Sequence, residues 1–191
     1  MPKTKRPTSP RLAPVIDVTP ELAEILSKTL IRPDGQPINI FGTLAHHPRA
    51  LKRFNVFGGL LLNGLLPARE REIVILRVGW NCRAVYEFGQ HTLIGRRSGL
   101  SDTEIAALCA SPEAHDWSAD ERALIALADD LCTDNCASDA TWAALRARWS
   151  DAELVELVLV AGNYRLVSGF LNTMGVQLDP GVPSWPPGVV P

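Results

Sequence analysis

The sequence predicts an all-α protein that forms a single helical bundle, and three observations support this. Helix-capping signals recur along the chain, apolar residues repeat at helical spacing, and the Asn-Gly or Asp-Gly turns of β-hairpins are missing between strand-like segments. Of the 191 residues, 46% are hydrophobic and 21% are charged. Because this balance is close to that of an average globular domain, disorder of the whole chain is not expected.

Helix starts are marked by serine-based capping boxes and by prolines. In a capping box, a Ser and a Glu three positions later satisfy each other's free backbone donors. The three matches are Ser101–Glu104, Ser118–Glu121 and Ser150–Glu153. Proline favours the first position of a helix, which predicts further starts at Pro20, Pro48 and Pro67.

Together with the apolar spacing, these signals predict about eight helices. The expected ranges are 20–31, 38–46, 48–63, 67–80, 82–98, 101–110, 118–132 and 138–174, the last with a break near residue 150. Residues 19–176 are expected to form the domain, between an extended leader over 1–18 and a Pro-rich tail over 177–191. Because the tail contains Trp185, we expect it to dock on a surface, which could belong to a neighbouring subunit.

Charge and composition exclude several classes of function. The net charge of −2 gives no preference for nucleic acid or for an anionic membrane. No apolar run near the length of about 18–20 residues that spans a bilayer is evident, and the leader lacks the apolar stretch of a secretory signal. We therefore expect a cytoplasmic protein with no nucleic-acid or membrane partner.

The four cysteines are predicted to be reduced, since no secretory signal is evident and no C-x-x-C pair is present. They are Cys82, Cys109, Cys132 and Cys136. No grouping of Cys and His has the spacing of a structural zinc site, so no metal is expected. A packing role is favoured for the thiols, because free Cys commonly behaves as a small hydrophobic residue.

The best candidates for chemistry are Glu87 and His91, which are i, i+4 neighbours if 82–98 is a helix. A carboxylate beside an imidazole favours the charged ring, and such a pair can deliver or remove a proton near neutral pH. Solvated surface pairs have the same spacing. However, the residues between these two are apolar or small, unlike those of a surface helix, and Arg83 lies one turn earlier on the same predicted face.

A second acidic residue, Glu72, lies on the preceding predicted helix. An antiparallel pair of helices could bring its carboxylate towards His91 or Tyr86. The alternative is an ion pair with a neighbouring arginine, Arg69 or Arg71, and the sequence leaves both arrangements open.

Three stretches carry a family resemblance. They are Pro67-Ala-Arg-Glu-Arg-Glu-Ile-Val-Ile-Leu-Arg-Val, Tyr86-Glu-Phe-Gly-Gln-His and Ser98-Gly-Leu-Ser-Asp-Thr-Glu-Ile. This pattern resembles the carboxymuconolactone decarboxylase family, which shares its fold with the alkylhydroperoxidase D-like proteins, and the resemblance extends over most of residues 20–178. It implies an all-α alkylhydroperoxidase D-like bundle that assembles as a homo-oligomer, a trimer or a hexamer.

The superfamily splits into branches with different chemistry. Its peroxidase branch uses C-x-x-C followed four residues later by His, with an upstream Glu. His91 and Glu72 match that pattern, but the two cysteine positions hold Ala84 and Glu87. Since neither a methyl group nor a carboxylate replaces a thiol in attack on a peroxide, the dithiol mechanism is expected to be absent.

The decarboxylase branch has Glu-x-x-x-His without cysteines and resembles this chain more closely. It implies cofactor-free loss of carbon dioxide from a small unsaturated lactone or carboxylic acid. His91 is then the expected general acid, oriented by Glu87, with Glu72 as a further catalytic candidate. The candidate substrate-binding residues are Tyr86, Arg83, Arg77, His46 and His47. For the two N-terminal histidines the alternative is helix capping or core hydrogen bonding, and for Arg77 it is an ion pair with Glu72 or Glu70.

Two other functions stay open at this point. One is a thiol-dependent, peroxidase-like antioxidant that uses Cys82, or Cys132 with Cys136. The other is a non-catalytic, oligomeric protein that binds a small molecule.

Overall fold

The structure, a computed structural model, describes residues 4–15 and 17–190. Within these ranges it contains nine α-helices, one short 3₁₀ helix over Pro112–Ala114 and no β-strand, so the predicted all-α class is confirmed. The α-helices are α1 Pro20–Leu26, α2 Asn39–Leu44, α3 Pro48–Leu62, α4 Ala68–Asn81, α5 Val85–Arg97, α6 Asp102–Ala107, α7 Ala119–Asp134, α8 Asp139–Arg146 and α9 Asp151–Met174.

The capping signals mark true helix starts, whereas several predicted ends are too late. All three predicted capping boxes form, at the first turns of α6, α7 and α9. The expected helix over 20–31 ends at Leu26, because the chain then turns back and pairs Ile31 with Pro37. The expected helix over 138–174 is broken as predicted, into α8 and α9.

Helix α4 lies at the centre of the bundle and packs against α5, α7 and α9. Every residue from Arg71 to Gly79 is buried, including both arginines and the glutamate in that stretch. Buried charged groups destabilise a fold unless they are paired. The charged side chains of α4 therefore need partners from other elements, and these partners define the candidate site.

Helix α9 is long and apolar enough to cross a bilayer, judged by length and composition alone. The prediction that the chain has no such run was therefore wrong. Half of the apolar window is buried inside the domain, where Leu157, Val160 and Leu171 belong to the core. Such burial is typical of the central helix of a globular bundle. The cytoplasmic location stays a prediction.

The other face of α9 is apolar but exposed. It presents Val155, Leu159 and Leu166 to solvent, and Leu60 on α3 is exposed as well. Exposed apolar surface of this kind is typical of contacts between proteins. The predicted homo-oligomer of three or six copies stays a prediction, which a measurement of molar mass in solution checks.

The Pro-rich tail folds back onto its own chain. Trp185 packs against Phe88 and Trp80, with ring centroids 4.9 and 5.6 Å apart. The tail crosses α5 at Gly89, where a Cβ atom would lie 2.2 Å from the carbonyl oxygen of Pro183. A neighbouring subunit is therefore not needed to give the tail a docking surface.

We expect Gly89→Ala to lower the free energy of unfolding by about 1–3 kcal/mol, because the added methyl group would collide with the backbone of the tail. Gly169→Ala is the matched control, since it also lies inside a helix but has open space at its Cβ position. That substitution should be neutral or stabilise the protein by up to about 1 kcal/mol. Urea denaturation measures both, and equal effects would contradict the position of the tail.

Candidate active site

Helices α4 and α5 form a hairpin that brings ionisable side chains of the two helices together. Cys82 caps α4, and Arg83 adopts a left-handed backbone conformation with a φ of 50°. The backbone N–H of Ala84 then donates to the carbonyl of Gly79 over 2.9 Å, which reverses the chain. The reversal places α5 alongside α4, so that residues from both helices face each other.

His91 lies between two carboxylates. Its Nδ1 is 2.6 Å from Glu72 Oε2, and its Nε2 is 3.0 Å from Glu87 Oε1. Arg71 Nε donates to the other oxygen of Glu72 over 3.1 Å. Glu72 therefore makes both contacts that the sequence left as alternatives, one with the imidazole and one with a neighbouring arginine.

The ring of Tyr164 on α9 meets the imidazole of His91 edge to face, with centroids 4.8 Å apart. Burial is the largest effect that raises the pKa of Tyr164, and the charges of Glu87 and Glu72 raise it further. The phenol is therefore neutral at physiological pH and able to donate a hydrogen bond.

The two carboxylates keep the His91 ring charged. Burial opposes the charge, but the attraction of Glu72 and the hydrogen bonds to Glu72 and Glu87 outweigh it and raise the pKa of His91 to about 10. At neutral pH both ring nitrogens therefore carry protons. The ring donates one proton to each carboxylate, which is a suitable arrangement for proton transfer.

A cavity of about 400 Å³ lies beside this cluster. Glu87, His91 and Tyr164 line it, whereas Glu72 lies behind the imidazole and is not part of the wall. Most of the wall is apolar and includes Ile38, Phe41, Phe54, Leu62 and Val167. A pocket of this size and character, with a few converging polar groups, is typical of small-molecule sites.

Charged groups are few around the cavity. Apart from His91, Lys28 is the one cationic side chain among the described residues that line it, and its ammonium is exposed and paired with Glu24 over 3.0 Å. The other polar groups of the wall include the amides of Asn55 and Asn163.

Residues 48–130 match the family model described as the carboxymuconolactone decarboxylase family, and this region contains Glu72, Glu87 and His91. The chain is similar to this family over that region, which is less than half of its length. None of the curated proteins compared with it matches significantly.

Solved structures show the same fold. The chain is similar to an uncharacterized peroxidase-related protein from Silicibacter sp. TM1040, with a TM-score of 0.77, 17% identity, and coverage of 95% of this chain and 97% of that chain. An alkylhydroperoxidase AhpD core protein from Ralstonia eutropha JMP134 aligns with a TM-score of 0.74, 21% identity, and coverage of 92% and 95%. The debrominase Bmp8, solved with 2,3,4-tribromopyrrole, has a TM-score of 0.69, 15% identity, and coverage of 84% and 87%. At these identities the likeness shows the AhpD-like fold alone.

The two arginines expected to bind substrate lie away from the pocket. Arg77 is buried and donates to both carboxylate oxygens of Asp129, over 2.6 and 2.9 Å, and to the carbonyls of Leu108 and Ala110. Arg83 lies in the turn before α5 instead of one helical turn before Glu87, because α5 begins only at Val85. Neither arginine lines the cavity.

The two N-terminal histidines also lie elsewhere. His46 Nε2 is 2.7 Å from the carbonyl oxygen of Ala13 in the leader. His47 caps α3, since its Nδ1 accepts from the backbone N–H of Ala50. Both therefore follow the alternative of capping and hydrogen bonding, and neither lines the cavity with His91.

Tyr86 lines the cavity, but its hydroxyl is fully engaged elsewhere. It donates to Asp179 Oδ2 over 2.6 Å and accepts from the backbone N–H of Ile40 and from Gln90. Asp179 also accepts from Gln90 and from the backbone N–H of Asn39. This buried aspartate connects the tail to α2 and α5. No local pattern in the sequence indicates it, because its partners are distant along the chain.

The raised pKa of His91 predicts how stability depends on pH. Protonation of the folded ring stabilises the protein fully below the unfolded pKa near 6.5, and this contribution is lost as pH rises through about 10. The difference in free energy of unfolding between the wild type and His91→Gln should therefore be largest near pH 6.5 and should shrink as pH rises to about 10. Urea denaturation across this pH range measures it, and a difference that is independent of pH would contradict a charged ring.

Proposed function

We propose that the chain is a cofactor-free enzyme that transfers a proton to or from a small unsaturated lactone or carboxylic acid, with decarboxylation as the favoured reaction. The observation that carries the proposal is the buried imidazole of His91, held between two carboxylates, with Glu87 and His91 both at the wall of the cavity. The match of residues 48–130 to the carboxymuconolactone decarboxylase family model supports it.

The geometry favours Glu87 over His91 as the group that meets the substrate. Both nitrogens of the imidazole are already hydrogen-bonded, so the ring has no free donor for a ligand. In the proposed relay, His91 Nε2 passes its proton to Glu87, and Glu87 exchanges that proton with the substrate. Glu72, which is itself paired with Arg71, keeps the ring oriented and favours its reprotonation.

Decarboxylation fits this relay without a cofactor. When the carbon–carbon bond to the carboxylate breaks, carbon dioxide leaves and the electron pair moves into the conjugated lactone as an enolate. Glu87, protonated by His91, then delivers the proton to the carbon, and His91 regains one from water. The neutral hydroxyl of Tyr164 is available in the same wall to donate a hydrogen bond to the enolate oxygen.

Charge favours a substrate with at most one carboxylate. The wall carries the carboxylate of Glu87, and its one cation apart from His91, among the described residues, is the exposed ammonium of Lys28. A second carboxylate would therefore enter an apolar region without a partner, which costs free energy. We infer a mainly apolar, unsaturated acid or lactone as the substrate class.

The two alternative functions are less well supported at this pocket. No cysteine is among the described residues that line it, so a thiol peroxidase would need another site. A protein that only binds a small molecule has no evident need for a relay of three buried ionisable groups, which is costly to maintain unless it is fully paired.

The test uses carboxymuconolactone and an unsaturated lactone with a single carboxylate. We expect the lactone with one carboxylate to react faster than carboxymuconolactone. Both the release of carbon dioxide and the incorporation of deuterium into the product in heavy water should show this difference. Glu87→Gln keeps the size and polarity of the side chain but removes proton transfer, so it should lower kcat by about 10²–10⁴-fold. Product formation followed by NMR measures both effects.

Glu70→Gln is the matched control, because Glu70 lies on α4 but is paired with Arg148 over 3.1 Å, away from the cavity. It should leave kcat unchanged. If the wild type is active and Glu87→Gln leaves kcat unchanged, the role of Glu87 in proton transfer is contradicted. Saturable binding of these compounds without carbon dioxide release or deuterium exchange would favour the binding-only alternative.

A further inference from the structure

Helix α3 carries two adjacent glycines where it borders the cavity. Gly58 and Gly59 lie inside α3, which continues to Leu62, and both line the cavity. Apart from proline, glycine is the least favourable residue inside a helix, because it loses the most backbone freedom on folding. Two in succession destabilise α3, so a compensating role for the missing side chains is expected.

Packing within the chain does not supply that role. A Cβ atom added at Gly58 or at Gly59 would meet no other atom within 4 Å. Gly95 on α5 differs, since a Cβ atom there would lie 3.1 Å from Cδ1 of Leu100. Gly95 is thus fitted to a neighbouring side chain, whereas the two glycines of α3 leave space open.

The open space belongs to the wall of the cavity. Phe54 lies one helical turn before Gly58, Leu62 lies one turn after it, and both side chains line the cavity. Between them, the turn that holds Gly58 and Gly59 presents only backbone. We call this turn the glycine recess.

The surface of the glycine recess is apolar. The carbonyl oxygen of Gly59 already accepts from the backbone N–H of Asn63 over 3.1 Å and from its side-chain Nδ2 over 2.9 Å. The Cα hydrogens of the glycines remain to meet a ligand, and among the residues of α3 that line the cavity none is charged. Such a surface suits a hydrocarbon or aromatic group better than a carboxylate.

The ionisable groups of the cavity wall lie on other helices. Glu87 and His91 are on α5, and Tyr164 is on α9. The reacting end of a ligand meets these groups. The uncharged wall of α3, with its recess, is therefore left for the part of the ligand that does not react.

The size of the cavity agrees with a ligand of more than one ring. An apolar cavity of about 150 Å³ holds benzene, whereas the volume here is about 400 Å³. A lactone of a single ring would leave much of this space unfilled, and the apolar wall would lose the contacts that a larger ligand makes.

We propose that Gly58 and Gly59 determine specificity, and that the glycine recess accepts an apolar substituent about the size of an aromatic ring. The substrate is then an unsaturated acid or lactone that carries such a substituent. The identity of the reacting end rests on the proposed function, and the recess adds the size and the character of the rest of the molecule.

The experiment compares two unsaturated acids by isothermal titration calorimetry. Crotonate and 3-(2-naphthyl)acrylate each have one carboxylate and differ in the apolar substituent. We expect the wild type to bind the naphthyl compound more tightly than crotonate by about tenfold or more. Equal affinity for the two acids, or binding of neither, would overturn the proposal.

Substitution of the glycines separates specificity from folding. Gly58→Ala and Gly59→Ala should each weaken the binding of the naphthyl compound by about tenfold, since one methyl group then occupies the recess. The binding of crotonate should not change. Each variant should also raise Tm by about 2–4 °C, because alanine favours the helix and its methyl group meets open space.

Gly169→Ala is the matched control, because Gly169 lies inside α9 with open space at its Cβ position and does not line the cavity. It should leave both affinities unchanged. If Gly58→Ala and Gly59→Ala keep the full affinity for the naphthyl compound, or change the molar mass in solution instead, the glycines do not determine specificity and the proposal is overturned.

These measurements do not depend on turnover. A preference for the naphthyl compound that is lost in Gly58→Ala and Gly59→Ala supports the glycine recess even if no carbon dioxide is released from any lactone. The absence of release would then contradict the proposed reaction alone.

Discussion

Burial of the Glu72 carboxylate is the constraint on which the candidate site depends. A fully buried carboxylate costs several kcal/mol unless it is paired, and here Arg71 and His91 are its partners. The pairing fixes the orientation of the imidazole and keeps it charged, so that its second nitrogen is held against Glu87. The charges of the two carboxylates are thus balanced by those of Arg71 and His91. Of the two carboxylates, Glu87 is the one that lines the cavity and can accept a hydrogen bond from a ligand.

The tail and the leader are both hydrogen-bonded to the helical bundle. The pocket wall is supported from outside by the tail, through the bonds of Asp179 to Tyr86 and Gln90. The leader contacts the end of α4, through the bond of Arg6 to the carbonyl of Cys82. Neither flanking segment is therefore a free extension in the described residues.

The sequence predicts what depends on local spacing and misses what depends on distant contacts. Capping boxes and the i, i+4 relation identify the helix starts and the contact of Glu87 with His91, because these need only a few neighbouring residues. The partner of Arg77 is Asp129, on a different helix, and no local pattern indicates it. The turn at Arg83 is equally hidden, since a non-glycine residue seldom adopts a positive φ.

The central claim is a charged imidazole of His91 between two carboxylates, and NMR of the ¹⁵N-labelled histidine ring tests it most directly. The account predicts protons on both ring nitrogens at neutral pH, with a titration midpoint near 10 that falls when Glu72 is replaced by Gln. A ring that is a single neutral tautomer at neutral pH would contradict the account and would leave the proposed relay without its proton.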